Sequence, residues 1–282
     1  ENDCHDPVIG VAFDGTGYGT DGTIWGGEIL LADYENFTRF GSITPFLQIG
    51  GDASAKEGWR IAVSMIYGYT KDRELAWKII EKLGLCNEQE SKVQFTMADR
   101  KINAVISTSV GRLFDAVSAI LGIRRQSSFE GEASMALEFA AEAYEQQNIM
   151  QGRDEKPDRL VYEKEERFIL NTRMLVQQIV EEKMQGADSG RLAYLFHQVL
   201  AEQITAACIE ARSNSGRKKV ALSGGVFQNR LLLRLTEEQL EQEGFEVLRH
   251  HMIPPNDGGI AIGQAAYGMW RLNNHGLQDR RI

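Results

Sequence analysis

The sequence has few cysteines and no long apolar run. Its 282 residues contain three cysteines, Cys4, Cys86 and Cys208, far apart and without C-x-x-C spacing. This odd, low number argues against a disulfide framework and favours a reducing compartment. No segment approaches the roughly 18 continuous apolar residues of a membrane span, and the first residues are polar and acidic, unlike a signal peptide. We therefore expect a cytoplasmic protein without a membrane partner and, because no Met begins it, a piece of a longer polypeptide.

Positive charge is in the minority. Lys and Arg number 31 against 40 Asp and Glu, so the formal net charge is −9 and the sequence pI is about 5.2. An acidic surface repels phosphate backbones, so we expect no nucleic-acid partner. Hydrophobic residues make up 43% and charged residues 25% of the chain, a composition typical of globular proteins. This length allows one large domain or two smaller lobes with a shared cleft.

Strand patterns at both ends of the sequence enclose a helical middle. An apolar run at 8–13 predicts a first strand, and a glycine-rich turn from Asp14 to Gly22 then leads into an antiparallel hairpin. Hairpin strands first and strand–helix alternation last predict two α/β lobes. The further predicted strands are 23–31, 37–43, 103–106, 219–222 and 245–248. The main predicted helices are 53–69, 111–121, 131–147, 165–184, 191–213, 226–243 and a last one from about 258, with a surface connection at 148–160.

The strongest local pattern is Ser223-Gly224-Gly225, where an apolar strand meets a helix. Glycines let a backbone approach an anion closely, and a helix start offers free N–H groups and a positive dipole end. The junction therefore suits a nucleotide phosphate, with Asn229 close by. A simple tight turn, with Asn229 on the helix surface, would show the same residues, so both interpretations stay open.

Two aspartates beside glycines are candidate metal ligands. Asp14 ends a predicted buried strand, and a carboxylate there can bind a divalent metal, although Asp-Gly is also a common hairpin pair that needs no ligand. Asp257 follows Pro254-Pro255-Asn256 just before the last helix. It suits a second metal carboxylate at a strand-to-helix crevice, or a helix N-cap.

Other polar residues lie near predicted helix starts. Asp115, one turn into a helix, could accept ribose hydroxyls or compensate the helix dipole, and Arg112 could pair with Asp115 or with phosphate. Glu130 is either a polar cleft group or a dipole partner. His250 and His251 are adjacent, which points their side chains in different directions and disfavours a two-histidine metal site.

Several segments, taken in order, resemble the C-terminal carbamoyltransferase region of the HypF hydrogenase maturation proteins. The resemblance covers nearly the whole chain and thins between about Ala143 and Arg217. Several motifs in the right order are more specific than any single one. The matching segments are 13–17, 21–28, 50–52, 59–60, 111–117, 129–133, 222–226, 229–232 and 254–259.

The resemblance implies an ASKHA-type, actin-like two-lobe α/β fold. Residues 1–103 would form the remainder of an incomplete first lobe with a helical insertion, and 104–282 the second lobe with the nucleotide-binding loop. In this family carbamoyl phosphate and ATP give a carbamoyl-adenylate. Its carbamoyl group passes to the C-terminal cysteine of a HypE-type partner and becomes a cyanide ligand of [NiFe] hydrogenases.

Carried over to matching positions, the resemblance implies that Asp14 and Asp257 are catalytic carboxylates that hold a divalent metal (Mg, Fe or Zn). A His-x-x-x-His pair just before Glu1 would complete that site. Gly58 stands where the family usually has proline, and Phe129 where it has tyrosine. The residues expected to bind ATP or the carbamoyl-adenylate are Ser223, Gly224, Gly225, Asn229, Asp115, Gly111, Arg112 and Glu130.

Two other hypotheses share these glycine loops. An ASKHA-fold sugar or acid kinase would phosphorylate a hydroxyl and would turn over ATP in response to a sugar but not to carbamoyl phosphate. A non-catalytic nucleotide-binding module would dock a protein partner, and docking would survive Asp14→Ala and Asp257→Ala.

Overall fold

The computed structural model describes residues 1–151, 163–164 and 168–275, and the predicted connection at 148–160 lies mostly outside them. The strands are β1 (Val8–Tyr18), β2 (Ile24–Ala32), β3 (Phe37–Ile43), β4 (Phe46–Ile49), β5 (Ala104–Ser107), β6 (Glu163–Lys164), β7 (Phe168–Leu170), β8 (Lys219–Ser223) and β9 (Glu246–Leu248). The helices are α1 (Ala53–Lys56), α2 (Gly58–Thr70), α3 (Arg73–Lys82), α4 (Glu88–Arg100), α5 (Val110–Ile120), α6 (Glu132–Gln151), α7 (Thr172–Met184), α8 (Ser189–Ser215), α9 (Arg230–Gln242) and α10 (Ile260–His275).

One mixed sheet organises the molecule, in the order β6-β7-β3-β2-β1-β8-β9, with β4 and β5 branching from β2. β1 to β3 form an antiparallel meander, whereas β8 is parallel to β1 and β9 is parallel to β8. Strands from both predicted lobes thus share a sheet, and the boundary between residues 103 and 104 stays a prediction. Among the described residues no helix is long and apolar enough to cross a membrane.

The core lies between this sheet and the helices packed on it. Ile9, Val11 and Phe13 alternate along β1 and are fully buried, because successive strand residues face opposite sides of a sheet. Their burial stabilises the fold by about 1.5–3 kcal/mol per side chain. The central helices α5 and α8 contribute many of the buried residues of this core.

Most predicted elements are present, and four boundaries were wrong. β1 continues to Tyr18, so the hairpin turn begins only at Gly19. The predicted helix at 165–184 begins at Thr172 and is preceded by β7. The predicted helix at 226–243 is divided into a short 3-10 helix, Gly225–Gln228, and α9, because Asn229 caps α9. β4 was not predicted, and Glu57 separates α1 from α2.

Candidate active site

The candidate site lies at the carboxyl end of the parallel pairing of β1, β8 and β9. Ala12 of β1 is paired with Ser223 of β8, and Ala221 of β8 is paired with Leu248 of β9. Parallel strands place their carboxyl ends at one edge of the sheet, where α/β proteins bind ligands. Asp14 lies in β1 just beyond its last pair with β8, and the segments that follow β8 and β9 contain Gly224–Gly225 and Asp257. The sheet therefore brings together three segments that are far apart in sequence.

Asp14 lies in a bulge within β1 and not in the hairpin turn. Phe13 pairs with Gly27 and Gly17 with Trp25, so three residues of β1 oppose one residue of β2. The Asp14 Oδ1 atom accepts a hydrogen bond from the Gly15 N–H at 2.8 Å. Bulges bend a strand and redirect its side chains. Hairpin-turn chemistry, the alternative explanation of Asp14-Gly15, therefore does not account for this aspartate.

Glycines let two elements approach the bulge closely. Gly224 has φ of +100°, and a Cβ atom there would lie 2.0 Å from the carbonyl oxygen of Phe13. A Cβ atom on Gly111, at the start of α5, would lie 2.8 Å from the Cα atom of Gly15. Neither position can hold a side chain without displacing backbone. β8 and α5 thus approach the bulge as closely as the two backbones permit.

Gly225 marks the point where the three loops meet. A Cβ atom on Gly225 would lie 3.2 Å from Asp14 Oδ1 and 3.5 Å from the Cβ atom of Asn256. The neighbouring Gly224 N–H donates to the carbonyl oxygen of Pro255 at 3.1 Å. The bulge and the loop after β9 therefore both border the space above Gly225.

Asp257 is exposed and begins a short 3-10 helix, Asp257–Gly259, that leads into α10. The N-cap is Asn256, whose Oδ1 accepts from the Gly258 N–H at 3.1 Å. N-capping was the structural alternative for Asp257, and Asn256 fills that role. The Asp257 carboxylate is consequently not used as a cap.

Asn229 is a buried cap, contrary to the surface position considered from the sequence. Its Oδ1 accepts from the Leu232 N–H at 2.8 Å, and its Nδ2 donates to His197 Nε2 at 2.9 Å. The Nδ1–H of His197 can donate to the Ala193 carbonyl oxygen at 2.7 Å, which leaves Nε2 as an acceptor. Burial lowers the pKa of His197 to about 4, so the ring is neutral and fixes the Asn229 amide.

Glu138 of α6 is a second buried group at the start of α9. Its Oε1 accepts from the Arg230 N–H at 2.6 Å and lies 3.4 Å from the Leu231 nitrogen. Burial raises the pKa of Glu138, while these backbone bonds favour the ionised form. Neither His197 nor Glu138 was predicted, because each lies in an ordinary helical pattern without a local motif.

Ser109 joins α5 to the bulge and was also missed. Its Oγ lies 2.6 Å from the Gly15 carbonyl oxygen and 3.1 Å from that of Asp14. The same Oγ accepts from the Arg112 N–H at 3.1 Å and so caps α5. One hydroxyl therefore fixes both the helix start and the backbone of Asp14.

Asp115 and Arg112 pair with each other inside the protein. Arg112 Nη1 lies 3.0 Å from Asp115 Oδ2, with the side chains 11% and 6% exposed, and Arg112 also donates to the Ala55 carbonyl oxygen at 2.6 Å. Burial raises the pKa of Asp115 to about 6, and the arginine opposes this shift. A Cβ atom on Gly58 would lie 2.5 Å from the Asp115 carbonyl oxygen. The ribose contact at Asp115 stays a prediction, since Arg112 occupies its carboxylate here.

Glu28 holds the strand opposite the bulge. Its Oε2 accepts from the Gly26 and Gly27 N–H groups at 2.6 and 2.7 Å, and its Oε1 accepts from Arg39 at 2.9 Å. Arg39 in turn lies over the Trp25 ring at 4.3 Å. Burial raises the pKa of Glu28, and the donors around it satisfy both oxygens. This buried carboxylate fixes the backbone of Gly26 and Gly27, which lies opposite the bulge.

Two further predicted residues, Ser223 and Glu130, differ in their contacts. Ser223 Oγ lies 3.3 Å from His250 Nε2. Glu130 is exposed in the turn before α6, and the structure describes no contact between it and the group around Asp14. A cavity of about 440 Å³ lies elsewhere, between the β3–β4 turn and helices α2, α4 and α7. None of the predicted site residues lines that cavity.

The family model and the relatives that match this chain all point to one family. The model of the family described as "Carbamoyltransferase, Kae1-like Domain, second subdomain" matches residues 10–264. The HypF homologue of Cupriavidus necator is 33% identical over 94% of this chain and 66% of its own length. HypF of Rhizobium leguminosarum bv. viciae is 34% identical over 95% of this chain and 33% of its own length. The chain thus spans a third to two thirds of these relatives.

Solved structures agree with this assignment. Full-length HypF, solved in a phosphate- and nucleotide-bound form, is 34% identical, with a TM-score of 0.84 over 97% of this chain and 34% of its own. HypF of T. kodakarensis is 28% identical, with a TM-score of 0.80 over 95% of this chain and 34% of its own. The mixed sheet with its helices and these neighbours fit the predicted ASKHA-type fold. The chain belongs to the carbamoyltransferase family of HypF Kae1-like domains, second subdomain.

Proposed function

We propose that this chain binds an adenine nucleotide at the Ser223-Gly224-Gly225 loop and takes part in carbamoyl transfer. The donor would be a carbamoyl-adenylate made from carbamoyl phosphate and ATP, and the acceptor the C-terminal cysteine of a HypE-type protein. The observation that carries the proposal is the meeting of Asp14 and the Pro254–Gly259 loop above Gly225. A bare glycine beside a carboxylate leaves room for a phosphate and its cation.

Unused backbone donors support an anion at this place. Within the described part of the chain, no hydrogen-bond acceptor is found for the N–H groups of Gly225 and Val226. Both begin the 3-10 helix after β8. Successive N–H groups of this kind bind anionic oxygens in many phosphate loops. The loop therefore offers N–H donors to an anion, and the Asp14 carboxylate offers oxygen ligands to the cation that accompanies it.

The residues present fit a hard divalent cation in part. Asp14 and Asp257 supply carboxylate oxygens, the ligands that Mg²⁺ prefers. Within residues 1–151, 163–164 and 168–275, no three His, Cys, Asp or Glu side chains form a metal-binding group, so phosphate oxygens, water or other ligands would complete the shell. When bound, the ion would polarise a phosphate or carbamoyl oxygen. The protein itself fixes the position of the nucleotide and of the attacking thiol.

The nucleotide site can be tested with Gly225→Val. A branched side chain would meet Asp14 Oδ1 and fill the phosphate space, so we expect the affinity for ATP to fall at least about tenfold, or roughly 1.4 kcal/mol. Isothermal calorimetry measures this directly. Gly263→Val in α10, where a Cβ atom meets open space, is the matched control. Equal ATP affinity of Gly225→Val and wild type would contradict the proposed site.

The metal assignment can be tested with Asp257→Ala. We expect less bound divalent metal per chain in the presence of ATP, because one of two carboxylate ligands is lost. Elemental analysis after desalting provides the measurement, with Glu35→Ala, an exposed residue, as the control. An unchanged metal content would remove Asp257 from the proposed site.

A further inference from the structure

Three polar side chains in contact, Ser223, His250 and Glu1, lie beside the proposed nucleotide loop. Ser223 Oγ, at the end of β8, is 3.3 Å from His250 Nε2. The other ring nitrogen, Nδ1, is 3.2 Å from Glu1 Oε1. The Nδ1 atom has no aligned hydrogen-bond acceptor among the described residues, so its contact with Glu1 is an electrostatic one. Hydroxyl, imidazole and carboxylate thus follow one another in order.

Glu1 is held in place as an anion. Its Oε2 accepts from the Met252 N–H at 2.8 Å and from the His251 N–H at 3.2 Å. The Met252 bond is the main reason why the pKa of Glu1 falls to about 2, and the side chain is only 6% exposed. A fixed anion beside Nδ1 favours the tautomer that carries its proton on that nitrogen. Nε2 is then free to accept the proton of the Ser223 hydroxyl.

We propose that Ser223, His250 and Glu1 form a proton relay that removes the proton from the nucleophile attacking at the Gly224–Gly225 loop. This inference rests on the proposed function. A hydroxyl whose proton points to a histidine keeps its oxygen lone pairs for another donor. Ser223 would contact the incoming thiol, while His250 and Glu1 act through Ser223 and are positioning residues. The relay differs from the metal carboxylates Asp14 and Asp257, which act on the electrophile.

The proton and electron balance is as follows for a thiol acceptor. The thiol S–H gives its proton to Ser223 Oγ as the Ser223 proton passes to His250 Nε2. The sulfur lone pair forms the S–C bond to the carbamoyl carbon, and the bond from that carbon to the adenylate phosphate oxygen breaks. The products are a thiocarbamate, AMP and an imidazolium that Glu1 stabilises. The imidazolium then loses its proton to solvent, which restores the relay.

Kinetics with His250→Ala test the relay. With prepared carbamoyl-adenylate and a synthetic peptide that ends in cysteine, we expect kcat to fall about 100-fold, the scale of general acid–base catalysis, and KM to change less than about twofold. Added imidazole should restore at least about tenfold, because the ring is 28% exposed and its site is reachable. His251→Ala is the matched control, since this exposed neighbour has no described side-chain contact with Ser223. Equal kcat values for the two variants, or a loss that imidazole does not restore, would overturn the relay.

A second measurement does not depend on turnover. In protein labelled with ¹⁵N-histidine, we expect the His250 ring in its Nδ1–H form, with an Nε2 signal that moves in Ser223→Ala. An Nε2–H tautomer, or a signal unmoved by Ser223→Ala, would contradict the relay alone. Absence of ATP binding to the wild-type chain by calorimetry would contradict the proposed function instead, so the two failures are distinguishable.

Discussion

Two strand-to-helix junctions of this protein have similar sequences and different surroundings. After β5, Ser109 caps α5, and its hydroxyl also contacts the backbone of the β1 bulge. After β8, Asn229 caps α9, but the preceding Gly225 has no side chain, and a Cβ atom there would lie 3.2 Å from Asp14 Oδ1 and 3.5 Å from the Cβ atom of Asn256. The first junction is filled by protein, and the second leaves backbone donors unused. The comparison shows that two small-residue turns of one protein differ in whether side-chain and backbone groups of a neighbouring element occupy them.

A buried titratable group with a shifted pKa lies behind each junction. Asp115 lies behind the first with a raised pKa of about 6, and His197 lies behind the second with a lowered pKa of about 4. Burial is the main cause of both shifts, since it disfavours the charged form of an acid and of a base alike. The two groups therefore respond to pH in opposite ways.

The largest effect is expected from Gly224→Ala, which would close the second junction. The new methyl group would lie 2.0 Å from the Phe13 carbonyl oxygen at φ of +100°, so we expect a loss of about 3 kcal/mol or more in the free energy of unfolding. Urea denaturation measures it. Gly122→Ala is the control, because its φ of +72° is also positive but no atom lies within 4 Å. A similar, small loss in both variants would show that the close approach is not needed.

Asn229→Ala should have a smaller effect, about 2 kcal/mol. The change removes a helix cap, worth about 1 kcal/mol, and leaves the buried Nε2 of His197 without its donor, which costs at least about 1 kcal/mol more. Asn87→Ala at the exposed cap of α4 loses only the first of these terms. Equal losses in the two variants, measured by thermal or urea denaturation, would refute the role given to His197.

The smallest effect is a pH dependence of stability in the wild type, where two opposing contributions partly cancel. The pKa of His197 is lower in the folded state than in the unfolded state. Its contribution to the free energy of unfolding is therefore fully present near pH 7 and falls by about 2 kcal/mol towards pH 5. The folded pKa of Asp115 lies above its unfolded value, so its contribution rises by about 1 kcal/mol over the same range.

Single variants separate the two groups. Asp115→Asn should lose about 2 kcal/mol of stability between pH 7 and pH 5, whereas His197→Gln should become more stable by about 1 kcal/mol over that interval. Urea denaturation at the two pH values gives both differences. Parallel pH profiles for wild type and both variants would show that neither group is perturbed in the folded state.

The candidate site residues lie in local sequence patterns, whereas the groups that support them do not. Asp14, Gly224–Gly225 and Asp257 each follow an apolar strand, so their patterns are local and visible. His197, Glu138 and Glu28 support the site from helices or from a strand interior. Their roles depend on partners tens of residues or more away, apart from the Glu28 bonds to its neighbours, and no periodicity marks them. Asp115 and Arg112 were predicted near one another, yet their burial against α2 required the packed structure.

The amino-acid sequence by itself determined most strands and most helices, because backbone conformation and hydrophobic periodicity are local properties. Only the tertiary structure decided that β1, β8 and β9 are parallel neighbours in one sheet and that Asp14 lies in a bulge. It also decided that His250 contacts both Ser223 and Glu1. Strand order and side-chain contacts arise from burying one shared core, and that free energy belongs to the whole chain and not to any one segment.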